Sequence, residues 1–236
     1  MEAVDLRHVP VVDNHCHGIL RSQSFDDLLS WRRNFTESAD PGIVQDHVAS
    51  MAFYLRLIRV LAGFLDCEPD EETVLAARAE KDERELVGAL LWAANVETLL
   101  LDTGYPPPEK VLPGAELSRL GDCRVEPMLR LETLMERLIA EHDFLEEAKE
   151  VFVAALDDVR GQGYTALKSI AAYRTGLNIR EWSREEAEAS FEEFQGAVRE
   201  GSARLNHKPL LDTLLHASLR RSGPAGGSGP VPRRLR

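Results

Sequence analysis

The chain has 236 residues, which is enough for one sizeable domain and too many for a peptide-like module. Its formal charge is −12. The last seventeen residues, 220–236, contribute five arginines and no acid, so residues 1–219 hold 23 basic and 40 acidic side chains, a charge of −17. Such an acidic body repels nucleic acid and anionic membranes, and we expect neither as a partner.

The N-terminus lacks a basic stretch followed by an apolar run, so no signal peptide is predicted. The most apolar helical stretch, 51–65, is interrupted by Arg56 and Arg59 and is too short to span a bilayer. The three cysteines are odd in number and show no paired spacing, which is typical of reduced thiols. These features together predict a cytoplasmic protein.

Apolar periodicity predicts one short strand at the beginning of the chain and a helical region after it. The strand covers residues 9–17 (VPVVDNHCH), and the helices cover about 25–31, 42–65 and 70–95. Later elements alternate, with strands at 96–102, 124–131 and 164–173 and helices at 134–140, 145–162, 184–200 and 209–219.

Strands that alternate with helices indicate parallel βα units. The pattern contains four such units, half the number in an eight-fold barrel. About 80 residues separate the first two strands, much more than an ordinary crossover needs, so this segment is predicted to be a helical insertion over residues 25–95. The predicted fold is α/β: the N-terminal half of a TIM-like (β/α)8 barrel with a helical insertion after strand one.

The strongest local motif is the string DNHCH at residues 13–17. Side chains alternate along a strand, so Asp13, His15 and His17 share one face, and Asn14 and Cys16 lie on the other. Two imidazoles spaced i, i+2 near the end of a strand can bind one divalent metal, and Asp13 could orient a ligand from below. The alternative is a pair of partly buried histidines with a purely structural role.

Four strings carry a resemblance to a known family: VVDNHCHG at 11–18, LLLDTGY at 99–105, RLE at 130–132 and ALKSIAAYRTGL at 166–177. With these strings the chain resembles the amidohydrolase superfamily, in its amidohydrolase-related branch, which includes uronate-isomerase-like and nodulin/glutamine-synthetase-fusion-like proteins. The resemblance implies a metal-dependent hydrolase barrel acting on a small carboxylate-bearing molecule. It also implies that His15 and His17 are ligands of a divalent metal, with zinc the expected ion.

Lys168 lies in an apolar strand, where an uncompensated ammonium group is costly. The resemblance implies one role for it, because some amidohydrolases carboxylate a lysine of strand four to bridge two metals. Two other roles stay open. Lys168 could pair with substrate or a neighbouring acid, or it could be matched to Glu126 or Glu132 for structural reasons.

Arg174 follows strand four, where barrel loops build active sites, and its guanidinium group suits a substrate carboxylate. A helix-capping or salt-bridging role is an equal alternative. Lys168 and Arg174 are therefore the candidate catalytic residues. Asp102 ends strand two and is expected to bond the backbone of Gly104, with substrate contact as the alternative. Arg130 and Glu132 are expected to pair, either beneath the site or on the surface.

The last residues break the pattern of the rest of the chain. By the resemblance, the next strand would read approximately PVQFHxGxGD and carry a further metal ligand, but residues 227–236 read GSGPVPRRLR. The codons of residues 229–236, read in a shifted frame, can spell VQFHVGYG. We therefore expect a partial barrel domain at 1–219 and a disordered, out-of-frame tail at 220–236.

An incomplete metal site leads to two hypotheses about function. The first is a metal-dependent amidohydrolase-family chain that has little or no activity in this form, because two histidines alone bind metal weakly. The second is a non-enzymatic remnant or scaffold that associates with another copy or a partner through its exposed sheet edge.

Overall fold

The computed structural model describes residues 5, 8–21, 27–199 and 204–221, with the backbone alone for residue 221. The chain forms two compact units. The helical unit comprises Met1–Val11, Ile19–Glu97 and Ala115–Cys123. The sheet unit comprises Val12–Gly18, Thr98–Gly114 and Arg124–Arg236.

Four strands form one sheet in the order in which they occur along the chain. They are β1 (Val11–His17), β2 (Val96–Asp102), β3 (Arg124–Arg130) and β4 (Ala166–Lys168). Strand β3 runs parallel to both β2 and β4, with Leu100 opposite Glu126 and Arg130 opposite Lys168. Because the strands are parallel, the residues that end them lie at the same edge of the sheet.

The chain is α/β, but the prediction that it forms half of a (β/α)8 barrel is wrong. The described residues hold four strands, and their helices do not follow a one-strand, one-helix repeat. Four α-helices separate β1 from β2, two lie between β3 and β4, and three follow β4, which is itself only three residues long. The sequence did predict several helices between these strands, but hydrophobic periodicity does not show how successive units assemble.

The helical unit contains α1 (Leu28–Arg32), α2 (Ala52–Leu65), α3 (Glu71–Ala79), α4 (Glu83–Ala93) and most of α5 (Gly114–Gly121). Short 3-10 segments at Arg33–Phe35 and Val48–Ser50 and a π segment at Ile43–His47 lie between α1 and α2. The long helices expected at 42–65 and 70–95 are both broken. Met51 adopts an extended conformation, and Asp82 caps a new helix by accepting the backbone N–H groups of Arg84 and Glu85.

The core of the helical unit is built around α1, α2 and α3. Its buried residues are Trp31, Val48, Tyr54, Ile58, Ala62 and Val74. Among the described helices, none alone is long and apolar enough to cross a membrane. The pair Ile43–Ser50 and Ala52–Leu65, bent by 66°, reaches that length and composition only when its two parts are taken together.

The sheet unit carries α6 (Leu131–Glu141), α7 (Leu145–Asp157), α8 (Ala171–Arg174), α9 (Arg184–Arg199) and α10 (Lys208–Arg221), with a 3-10 turn at Pro108–Lys110. Its core joins β3 to these helices. The buried members include Leu129, Met135, Ile139, Phe152, Phe191, Phe194, Leu210, Leu211 and Leu214.

The strand predicted at 164–173 is much shorter in the structure. After Lys168, the buried carboxylate of Glu132 accepts hydrogen bonds from the Ser169 hydroxyl (2.6 Å) and the Ile170 N–H (2.9 Å). These bonds hold Ser169 and Ile170 outside the strand, and α8 begins at the next residue. A side-chain acceptor from α6 therefore ends the strand where apolar periodicity predicted that it would continue.

The predicted domain boundary near residue 219 stays a prediction. Helix α10 includes Arg220 and Arg221, whereas residues 222–236 of the expected tail lie outside the described residues.

Candidate functional site

Strand β1 carries the two histidines of the DNHCH motif side by side. Their rings meet edge to face, with centroids 6.3 Å apart. The intervening Cys16 thiol donates to the carbonyl of Leu100 on β2 (3.3 Å), as expected for a side chain on the opposite face. Asp13 accepts the backbone N–H of His15 (3.0 Å), so its carboxylate supports the strand locally and does not hold an imidazole.

The position of His17 is fixed by the turn that follows β2. Its Nδ1 atom lies 3.0 Å from the carbonyl oxygen of Tyr105, and the Tyr105 ring packs edge to face against the imidazole at 5.7 Å. A carbonyl oxygen only accepts hydrogen bonds, so this contact requires the proton on Nδ1. The lone pair of Nε2 is then available to a metal, in the arrangement that metal-binding histidines ordinarily use.

Asp102, the last residue of β2, connects the strand ends. Its fully buried carboxylate accepts the Gly104 N–H (2.9 Å) and the Arg130 Nε–H (3.2 Å), and it also forms an ion pair with the Arg130 Nη2 group. Lys168 Nζ lies 3.0 Å from the same carboxylate, and His17 Nδ1 lies 3.6 Å from it. The predicted bond from Gly104 is confirmed, but it is one of several contacts.

Electrostatics keeps Asp102 ionised. Burial alone would raise the pKa of its carboxyl group, but the hydrogen bonds from Arg130 and Gly104 and the nearby Lys168 ammonium outweigh burial and lower that pKa below its ordinary value. One buried carboxylate therefore faces two basic side chains, Arg130 and Lys168.

Arg130 is held between β3 and the turn after β2. A Cβ atom on Gly104 would lie 2.7 Å from the Arg130 side chain, so only glycine allows this approach. The guanidinium carbon also lies 5.9 Å from the centre of the Tyr105 ring. The expected pairing of Arg130 with Glu132 is wrong, because Arg130 binds Asp102 and Glu132 binds Ser169 and Ile170.

Lys168 ends β4 with only 13% of its side chain exposed. Asp102 is its ionic partner, with the Lys168 Nζ atom 3.0 Å from the Asp102 carboxylate. The structural alternative with Glu126 or Glu132 is not observed, since Glu126 instead accepts the Thr165 hydroxyl (2.7 Å). Lys168 thus keeps hydrogen-bonding capacity inside a buried, polar environment.

Arg174 lies at the end of α8 and pairs with Glu136 of α6 at 3.3 Å. Burial lowers the pKa of its guanidinium group, and the charge of Glu136 partly offsets this effect. Its Nε atom and the unused oxygen of Glu132 are both buried without a hydrogen-bond partner among residues 27–199 and 204–220. The salt-bridging alternative is therefore observed, and the structure does not group Arg174 with His17, Asp102 and Lys168.

Two imidazole nitrogens of this strand could occupy two coordination positions of one divalent metal. His15 and His17 supply neighbouring imidazoles, and the Tyr105 carbonyl orients the second of them. Within the described ranges, however, no cluster of three or more His, Cys, Asp or Glu side chains is placed to hold a metal ion. A zinc site in proteins commonly uses three or four protein ligands, so this strand can provide only part of one.

Sequence reasoning missed the central role of Asp102 and Arg130. Each was considered separately, and neither was expected to join the histidine strand to Lys168. The signal that could have found them is positional: a carboxylate and two cations end three successive parallel strands, and such residues must lie at one sheet edge.

Comparison with known proteins gives one informative likeness. A solved structure from Lactobacillus casei ATCC 334, provisionally described as a metal-dependent hydrolase, shares 26% sequence identity with the chain at a TM-score of 0.73. The likeness covers 89% of this chain and 54% of that protein, so the chain spans about half the length of its structural neighbour. A scan against protein families and a search of curated proteins each found no match. The likeness supports a relationship to a metal-dependent hydrolase.

Proposed function

We propose that the chain carries part of the active site of a metal-dependent hydrolase of the amidohydrolase superfamily, in which His15 and His17 are metal ligands. The observation that supports it best is the orientation of His17, whose Nδ1 is bound by the Tyr105 carbonyl so that Nε2 can bind a metal. The likeness to a hydrolase described as metal-dependent supports the same assignment. A bound divalent metal, with zinc proposed, would acidify water and polarise a carbonyl group.

The proposed substrate is a small molecule that bears a carboxylate. Lys168 and Arg130 both approach the single carboxylate of Asp102, so two basic side chains around it could bind an anion. The Lys168 ammonium has unused donors with which to orient that anion. Arg174 is the second proposed catalytic residue, but it can reach a substrate only by releasing Glu136.

We propose further that the chain as given has little or no hydrolytic activity. Two imidazoles without a third ligand hold a metal weakly and do not fix the geometry that a hydrolytic site requires. The residues of this chain would then bind and orient, but the water-activating step would lack its full ligand set. This proposal predicts measurable metal binding without matching turnover.

Zinc titration of the purified chain tests the proposal. We expect the wild type to bind about one Zn2+ per chain with micromolar affinity, and the double variant His15→Ala/His17→Ala to lose this binding. His47→Ala, which removes an exposed histidine of the helical unit, is the matched control and should bind as the wild type does. Equal zinc binding by the wild type and the double variant, measured by calorimetry and metal analysis, would refute the assignment.

A second function is favoured by the exposure of the outer strands. Val12 of β1 is 56% exposed and Leu167 of β4 is 40% exposed, and these strands form the two ends of the sheet that the structure describes. Unpaired strands with apolar side chains promote association with another chain. If this is the function, Val12→Lys should lower the molar mass measured by light scattering, whereas Val151→Lys on the exposed surface of α7 should not. A monomeric wild type contradicts it.

A further inference from the structure

The helical unit contains an apolar cavity that the proposed hydrolase chemistry does not use. It has a volume of about 440 Å³ and lies among α1, α2, α3 and α4. Its wall is formed mainly by aliphatic and aromatic side chains, including Trp31, Phe35, Leu57, Leu61 and Leu90. A concave, mostly apolar space of this volume lies in the range of small-molecule sites.

Among the described residues of the wall, Arg78 and Glu83 carry charge, and their charges are opposite. Arg78 and Glu83 both contribute to the wall, and the Arg78 guanidinium carbon lies 5.9 Å from the centre of the Trp31 ring. Burial lowers the pKa of Arg78, and the negative charge of Glu83 offsets part of that effect. One cation and one anion leave the cavity with no net charge, so a charged ligand gains no net attraction here and loses its hydration.

Asn34 adds a polar contact of a different kind. Its amide nitrogen already donates to the carbonyls of Ser30 (2.8 Å) and Trp31 (3.1 Å), which fixes the side chain at the end of α1. Its remaining polar atom is an acceptor. Together with Arg78, a donor, the cavity wall supplies both partners that an uncharged hydroxyl or amide group needs.

We propose that this cavity is a binding site for an uncharged, largely apolar small molecule with one hydrogen-bonding end. The apolar wall supplies the affinity, and the balanced pair of Arg78 and Glu83 selects against a charged head group. The site belongs to the helical unit alone, and it contains neither His15 nor His17. It is therefore independent of the proposed metal-dependent function.

Two probes with the same alkyl chain test the proposal on the full chain: 1-decanol and decanoate at pH 8. Calorimetry should show saturable binding of one 1-decanol per chain, with decanoate bound at least about tenfold more weakly because its charge must be desolvated. Thermal unfolding should shift upward with 1-decanol, since a ligand that binds only the folded state stabilises it. No binding of 1-decanol, or equal binding of decanoate, would overturn the proposal.

Neighbouring residues of α2 provide a matched pair of variants. Leu61→Trp places a larger side chain in the cavity wall and should weaken 1-decanol binding by about tenfold or more. Val60→Trp adds the same ring at a position that is 60% exposed, and its binding should change by less than about twofold. Equal effects of the two variants would contradict the location of the site. If Leu61→Trp does not fold, Val87→Phe in α4 makes the same test from the opposite wall.

Discussion

The two units of the chain each contain a carboxylate that binds an arginine, fully buried in Asp102 and half-buried in Glu71, and the two arrangements differ in how completely their polar groups are bonded. In the helical unit, Glu71 accepts hydrogen bonds from Arg32 (Nε at 2.9 Å) and from the Tyr54 hydroxyl (2.8 Å). In the sheet unit, Asp102 binds Arg130 and Gly104, and the Lys168 ammonium forms an ion pair with it at 3.0 Å. The Glu71 cluster is satisfied by its own neighbours, as expected of a structural network.

The sheet unit, in contrast, retains unused polar groups. The second oxygen of Glu132 and the Nε of Arg174 are buried without hydrogen-bond partners among the described residues, and the Lys168 ammonium has donors beyond its contact with Asp102. Burying a polar group without a hydrogen bond is costly, so proteins keep such groups mainly where a ligand, water or partner supplies the hydrogen bond. The two clusters therefore differ in how fully their own neighbours satisfy their polar groups.

The largest expected effect comes from removing the carboxylate of the incomplete cluster. Asp102→Ala leaves two cations buried without their anion, and we expect it to lower the free energy of unfolding by about 3–5 kcal/mol. Urea unfolding followed by far-UV circular dichroism measures this change. Asp102→Asn keeps the acceptor for Gly104 and should lose less. A loss below about 1 kcal/mol for the alanine variant would show that the cations are solvated.

The corresponding change in the helical unit should be smaller. Glu71→Ala removes the acceptor of Arg32 and Tyr54, but the side chains of Arg32 and Glu71 are 15% and 20% exposed, so water can replace part of the lost bonding. We expect a loss of about 1–3 kcal/mol in the same unfolding experiment. If this loss exceeds that of Asp102→Ala, the contrast between the two clusters is wrong.

Replacing the cation itself compares the clusters in a different way. Lys168→Met removes an ammonium that lies 3.0 Å from Asp102, but Asp102 keeps its bonds from Arg130 and Gly104, so the free energy of unfolding should change by less than about 1 kcal/mol. Arg32→Met removes the hydrogen bonds that Arg32 donates to Glu71 and should lower the free energy of unfolding by about 1–2 kcal/mol. Equal losses for both variants would mean that Lys168 serves mainly to stabilise the fold.

Sequence patterns predicted the parts of the fold that depend on local periodicity and capping. Strand β2 and the first residue of α9 agree with the predictions, because an apolar run and an acidic first turn identify them. The breaks at Met51 and Asp82 and the short β4 were not predicted. In β4 the cause is the carboxylate of Glu132, which is distant in sequence and competes with the strand for backbone bonding.

The sequence also predicted only part of the candidate site. The neighbouring imidazoles of β1 follow from the alternation of side chains along a strand, and the bond from Gly104 follows from the chemistry of a turn after Asp102. The partner of Lys168 could not be read from its own strand. It depends on the register of β2, β3 and β4, which places residues separated by 66 positions at one edge, and nothing local encodes that register.

The smallest predicted effect concerns acid and separates the two units by titration. The hydrogen bonds from Arg32, and then the bond from Tyr54, lower the pKa of Glu71 below its ordinary 4.5, although burial acts in the opposite direction. A depressed folded-state pKa contributes stability that is fully present above pH 4.5 and is lost as the pH falls through the lower folded value. Glu71→Gln abolishes this contribution, so its urea midpoint should fall less than that of the wild type between pH 7 and pH 3.

Glu72→Gln, an exposed neighbour on α3, is the control and should follow the wild type. Parallel curves for Glu71→Gln and the wild type would show that Glu71 is protonated at the same pH in the folded and unfolded chain. The network of Glu71, Arg32 and Tyr54 would then stabilise the fold no more than a surface ion pair does.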